Sequence, residues 1–120
     1  MRSRVDNRRK YPRVDLIVEV ELSTDPECRS FRVNTKNISA GGICVMLPEM
    51  LPACTRLRMR LRLPHIDAAC DVAGEVVWTL QQRTLFKRKS DTFDTGIAFV
   101  ELAQQDRNRI IRIIQEYNIS

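Results

Sequence analysis

Two short stretches of this chain hold the residue types that recognise anions and base edges. Residues 8–13 run Arg-Arg-Lys-Tyr-Pro-Arg, so that Arg9 and Arg13 frame Lys10, Tyr11 and Pro12. A guanidinium fork gives a phosphate two parallel charge-assisted hydrogen bonds, takes guanine through O6 and N7, and stacks on a purine face. Pro12 restrains its own backbone and that of Tyr11 to extended or turn geometry, so the span predicts a bent arm and no helix. Residues 37–42 run NISAGG. Asn37 offers a side-chain carbonyl and amide that match base edges, Ser39 adds a hydroxyl, and Gly41 and Gly42 permit positive φ and close ligand approach. Taken singly, each stretch also fits a plainer role: a solvated basic tail, and an ordinary Asx or Ser turn between two strands.

The charge distribution points to the first stretch. Lys and Arg number 20 against 15 acids, and residues 1–13 hold six of the cations (Arg2, Arg4, Arg8, Arg9, Lys10, Arg13) with one acid, Asp6. The remainder balances at 14 against 14, so the whole formal +5 belongs to the N-terminal arm, which is where a polyanionic partner is expected. Few apolar groups anchor residues 1–14, and their cations repel one another, which predicts a flexible arm ahead of a folded unit spanning 15–120. At 120 residues, 43% apolar and 29% charged, the chain has the composition of one globular domain with enough core to need no staple.

Several functions are disfavoured by what is missing. Cys28, Cys44, Cys54 and Cys70 have no C-x-x-C spacing and His65 is the only histidine, so no metal site and no bound cofactor is expected, and the thiols are expected to be reduced and mostly packed. His65 sits in the Pro-containing turn LPHID and has no sequence partners for nucleophilic catalysis, so a non-enzymatic protein is expected. No segment approaches an apolar membrane span and the N-terminus lacks a signal-type apolar region, which predicts a cytoplasmic protein.

The elements that must position these residues are legible from periodicity. Leu16–Leu22, Phe31–Thr35 and Gly42–Leu47 predict three strands, with NISAGG connecting the second and third. From Thr55, Leu57, Met59, Leu61 and Leu63 alternate with Arg56, Arg58, Arg60 and Arg62, a period-2 strand with one face in the core and an arginine ladder outside. Ala69–Leu80 predicts a long strand interrupted at Gly74 by a bulge or bend, then a polar hairpin over 81–91, then a returning strand at Thr95–Val100. At the end the period changes: Ile110, Ile113, Ile114 and Tyr117 fall at i, i+3, i+4, i+7, so Gln104–Tyr117 predicts one amphipathic helix. Six strands and a terminal helix favour a mainly β fold, a small antiparallel barrel with the helix packed against it.

In this order the two stretches resemble the signature of the PilZ domain family, an R-x-x-x-R arm (Arg9 to Arg13) and a [D/N]-x-S-x-x-G loop (Asn37 to Gly42). Gly74-Glu75-Val76-Val77-Trp78 is similar to the family's G-x-V-x-W strand and Gly96-Ile97-Ala98-Phe99 to its G-I-x-F strand, so the resemblance covers most of the chain. It implies a six-stranded antiparallel β-barrel with a C-terminal α-helix, and a receptor for the bacterial second messenger cyclic di-GMP. It further implies that Arg9 and Arg13 contact guanine and phosphate, that Asn37 and Ser39 supply polar contacts, and that Gly42 lets the loop fit. Arg8, an additional basic residue before the motif, implies two ligand molecules per domain. The implied receptor orders its arm over the ligand and signals to a downstream protein through a changed surface.

Two other functions remain in view: a small nucleic-acid-binding barrel using the arm and the arginine ladder, and a PilZ-fold protein-interaction module without nucleotide. Two tyrosines and one tryptophan make a poor stacking platform, which counts against nucleic acid. The ladder is also explained as a solvated face, residues 87–89 as a hairpin tip, and Trp78 as rim packing.

Overall fold

The computed structural model describes residues 13–24, 29–64, 69–83 and 91–119. The expectations placed on Arg8, Arg9 and the rest of the arm to residue 12, and on Cys28, His65 and residues 87–89, lie outside the described residues.

Six strands, β1 (Glu19–Thr24), β2 (Ser30–Ser39), β3 (Gly42–Leu47), β4 (Arg56–Arg62), β5 (Cys70–Gln82) and β6 (Thr92–Glu101), precede one helix, α1 (Gln104–Ile119). All pairings are antiparallel and the sheet closes on itself in the order β1-β2-β3-β6-β5-β4, so β1 bonds to both β2 and β4. Closure leaves no free edge, and it places Val20, Leu22, Ile38, Val45, Leu57, Leu61, Val76 and Ile97 inside a single core. The alternation in β4 is complete, with Leu57, Met59 and Leu61 buried and Arg56, Arg58, Arg60 and Arg62 exposed. Truncating a residue such as Leu61 to alanine leaves a cavity that costs about 2–5 kcal/mol.

Helix α1 places Ile110 and Ile114 in the core. Asp106, in its first turn, accepts hydrogen bonds from Cys70 Sγ at 3.5 Å and Arg109 Nη1 at 3.0 Å. The carboxylate suits the positive end of the helix dipole, and the contact from Cys70 seats α1 beside the start of β5. Burial and the neighbouring Asp106 carboxylate push the Cys70 thiol above its ordinary range.

Three local expectations are corrected. The first strand begins at Glu19 and not at Leu16, because the buried Thr35 hydroxyl accepts from Val18 N at 2.8 Å and donates to the Leu16 carbonyl at 2.8 Å, replacing ladder bonds over 16–18. The second runs on to Ser39, so Asn37 and Ser39 are strand residues and only Ala40 and Gly41 make the turn. No glycine has positive φ, which the NISAGG glycines were expected to offer; the one positive φ among the described residues is at Cys54, which is exposed, while Cys44 and Cys70 are packed. The predicted break at Gly74 is present as a register shift between Ala73 and Gly74 against β6.

Candidate functional site

Val14 joins the barrel through an isolated bridge to Ile38, in which each residue donates its N–H to the other's carbonyl at 3.0 Å. Both side chains point into the core, so by strand alternation their neighbours face outward. Arg13 thus falls opposite Ser39, which brings the last residue of the first signature stretch to the second on one outer face.

Across that face run two cross-strand rows. Ser39 pairs with Gly42 and Gly42 with Ala98; Asn37 pairs with Cys44, Cys44 with Gly96, and Gly96 with Trp78. A register shift between Thr35 and Asn37 marks a bulge at Lys36 that re-aims the strand just before the motif. Glycine and alanine make a low floor, and the walls are Arg13, Asn37 and Ser39 on one side and Val77 and Trp78 on the other. The resulting groove has a volume of about 150 Å³. That is well below the roughly 300–1,000 Å³ of a ligand pocket.

The glycines serve proximity. A Cβ at Gly42 would overlap the Ile97 carbonyl oxygen of the next strand, so β3 and β6 approach this closely only without a side chain there. A Cβ at Gly96 would overlap the indole of Trp78, which lies over that residue. Gly42 is therefore required by strand packing, and the positive φ expected of the NISAGG glycines is not used.

Ser39 is largely occupied by its own turn: its hydroxyl accepts from Gly41 N at 3.1 Å and lies 3.5 Å from the Gly42 carbonyl. Asn37 and Arg13 have no hydrogen-bond or ion-pair partner among the described residues, which leaves both polar groups available toward the groove.

Beside the groove lies a cluster that residue patterns did not single out. Asp94, only 6% exposed although it stands on the outer face, accepts from Lys36 Nζ at 2.8 Å and Gln82 Nε2 at 3.1 Å through Oδ2. Its second oxygen, Oδ1, has no partner among the described residues. Met46 and Leu80 pair with Asp94 from either side. The hydrogen bond to Asp94 raises the Lys36 ammonium pKa, outweighing its partial desolvation. Cys44 is raised by burial first and by the Asp94 charge second, with Lys36 and Arg13 pulling the other way. Asp94 is an isolated acid in the sequence, and only the β2-β3-β6 register brings it to Lys36.

The arginine ladder is mostly compensated. Arg56 pairs with Glu75 at 3.1 Å, Arg60 with Asp71 at 3.0 Å and Arg62 with Glu19 at 3.7 Å, while Arg58 faces Ser23 and Ala73 across its strand. Such exposed pairs add little stability, but they remove the net positive field a polyanion would seek there. A wider hollow of about 930 Å³, lined in part by Ser23, Ser30, Arg32, Arg58 and Glu101, lies on that side and contains none of the motif residues. No group of three or more metal-ligating side chains occurs among the described residues, and no helix among them is long and apolar enough to cross a membrane.

The chain as a whole is similar to several known proteins. The chain is 29% identical over 107 residues to YpfA of Bacillus subtilis (strain 168), covering 88% of this chain and 48% of YpfA. The solved structure of the Bacillus subtilis inhibitor of motility MotI/DgrA matches with a TM-score of 0.68 and 25% identity, over 96% of this chain and 54% of that one. The chain thus spans about half the length of these two relatives. The PilZ domain of YcgR from Escherichia coli, solved with c-di-GMP, matches with a TM-score of 0.71 and 14% identity, over 92% of this chain and 91% of that domain. The sequence matches the PilZ domain over residues 7–116, and with the closed barrel and terminal helix this establishes that the chain belongs to the PilZ domain family.

Proposed function

We propose that this protein is a cyclic di-GMP receptor whose ligand lies in the groove between Arg13 and Trp78. The observation that carries this reading is the Val14–Ile38 bridge, which brings one arginine of R-x-x-x-R beside Asn37 and Ser39 of the second motif. Solved PilZ neighbours named as complexes with c-di-GMP, YcgR of E. coli and MrkH of K. pneumonia, support the choice of ligand.

The groove is too small to enclose a cyclic dinucleotide, which supports a second wall built from outside the barrel. In this reading residues 1–14 are an arm that folds over the ligand, Arg9 and Arg13 take guanine and phosphate, and Asn37 and Ser39 add polar contacts. Gly42 keeps the floor low. Arg8 extends the basic run to a second, stacked ligand molecule, giving two per chain. The covered surface then presents a changed face to a downstream protein; the chain has no catalytic role in this scheme. A micromolar complex needs about 8 kcal/mol, charge-assisted hydrogen bonds contribute roughly 1.5–3 each, and ordering a segment costs roughly 2–5, so arm and groove must act together.

Calorimetry tests this directly. Cyclic di-GMP should bind and GMP should not, with two ligands per chain falling toward one in Arg8→Ala. Arg9→Ala and Arg13→Ala should each lose about 1.5 kcal/mol or more, near tenfold, with little change in melting temperature. Ligand should also slow trypsin cleavage after Arg8, Arg9 and Lys10. No binding at high micromolar cyclic di-GMP overturns the function, and equal cleavage rates with and without ligand overturn the arm's part in it.

A further inference from the structure

Helix α1 is attached to two of the segments beside the groove, the turn after Ser39 and the residue that follows Val14. Near its start, Arg107 Nη1 donates to the carbonyl of Ala40 at 3.1 Å. Ala40 is the first residue of the two-residue turn that follows Asn37 and Ser39. Toward its end, the Tyr117 hydroxyl reaches the carbonyl of Asp15 at 3.4 Å, a long contact to the residue after Val14. Ten residues separate the two attachments, about 15 Å along a helix axis. One helix therefore touches both the residue after the Val14 bridge and the motif turn.

The Arg107 contact is the stronger of the two and the less expected. The nearby carboxylate, Asp106, is engaged by Arg109 and Cys70, and Arg107 spends its guanidinium on a backbone carbonyl. The turn is closed by the Ser39–Gly42 ladder pair, and Gly41 ties it further: its N–H goes to the Ser39 hydroxyl, and its carbonyl accepts Phe99 N at 2.9 Å. Ser39 is thus linked through Gly41 to β6, and through Ala40 to α1. Among the described residues the Arg107 bond is the tie between this turn and α1, so removing it uncouples the helix from the segment that carries Asn37 and Ser39.

Resting on the cyclic di-GMP reading, we infer that Arg107 is a positioning residue for the ligand groove and the link by which ligand occupancy is felt at α1. Coupling of this kind is reciprocal: a ligand that steadies the turn steadies α1, and a change that frees α1 weakens the ligand.

The experiment is hydrogen–deuterium exchange of the full chain with and without cyclic di-GMP, paired with calorimetry, on wild type, Arg107→Ala and Arg107→Lys. Wild type should gain protection over residues 107–114, which do not line the groove. Arg107→Ala should bind roughly three- to tenfold more weakly, the loss of one hydrogen bond, and lose the ligand-dependent protection in α1. Arg107→Lys, which can still donate to the Ala40 carbonyl, should recover part of both. Arg107→Gln, a neutral donor, gives an intermediate variant if the alanine form melts too low to study. Ligand binding with unchanged Arg107→Ala affinity and unchanged α1 protection overturns the positioning role alone. Absence of binding by wild type overturns the receptor reading, and this inference with it.

Discussion

Val14 and Ile38 exchange both of their backbone hydrogen bonds at 3.0 Å, and this bridge is what sets Arg13 beside Ser39. The two residues are 24 positions apart in the chain, and neither belongs to a motif by side-chain chemistry. Replacing Val14 with proline removes one of the two donors while keeping the extended geometry of the arm. Val14→Pro should therefore weaken cyclic di-GMP by at least about tenfold, with a native-like circular dichroism spectrum. Unchanged affinity in a folded Val14→Pro protein would show that the bridge does not organise the site.

The two floor glycines should respond differently to alanine. At Gly42 the new Cβ meets the backbone of Ile97, which cannot swing aside, so Gly42→Ala should lose about 1–3 kcal/mol in urea unfolding. At Gly96 the new atom meets the indole of Trp78, a side chain that can rotate outward. Gly96→Ala should lose less stability and shift the fluorescence of the single tryptophan, Trp78. Equal stability losses with no spectral change would contradict this account of the groove floor.

Lys36 and Asp94 give a pH signature. Lys36→Met leaves a nearly buried carboxylate with Gln82 as its remaining donor, at about 1–2 kcal/mol after allowing for the 43% exposure of the Lys36 side chain. The Lys36 pKa is raised in the folded protein, so its contribution is fully present below the ordinary lysine value and disappears as pH rises through the folded value. The melting-temperature gap between wild type and Lys36→Met should hold from neutral to mildly alkaline pH and close only beyond the ordinary lysine range. A gap that closes near neutrality would assign the effect to another group.

Thiol chemistry should separate three cysteines. Cys54 is exposed, while Cys44 and Cys70 are buried with thiols pushed up by that burial. In a Cys28→Ala background at pH 8, a water-soluble disulfide reagent should titrate one thiol quickly and two only on unfolding. Because the unfolded chain ionises those two thiols at lower pH than the folded one, stability should also decline as pH passes the ordinary thiol range. Three fast thiols would contradict the packing around Cys44 and Cys70.

How much of this was legible beforehand follows from the range of the forces involved. The alternation in RLRMRLR and the i, i+3, i+4, i+7 pattern of Ile110, Ile113, Ile114 and Tyr117 are consequences of strand and helix periods, so the sequence alone determined β4, α1 and the barrel class. The two signature stretches were equally visible as residue types. The pairing was not. Strand ends at Ser39 and Gln82, the Thr35 hydroxyl that displaces the ladder at Val18, and the strand-packing demand on Gly42 all depend on partners far along the chain. So do the Lys36–Asp94 pair and the Arg107 contact to Ala40, whose residues stand 58 and 67 positions apart. A side-chain period is set by each residue's own backbone geometry, whereas register is set by closing the whole sheet over one core, and only closure decides which outward-facing residues become neighbours.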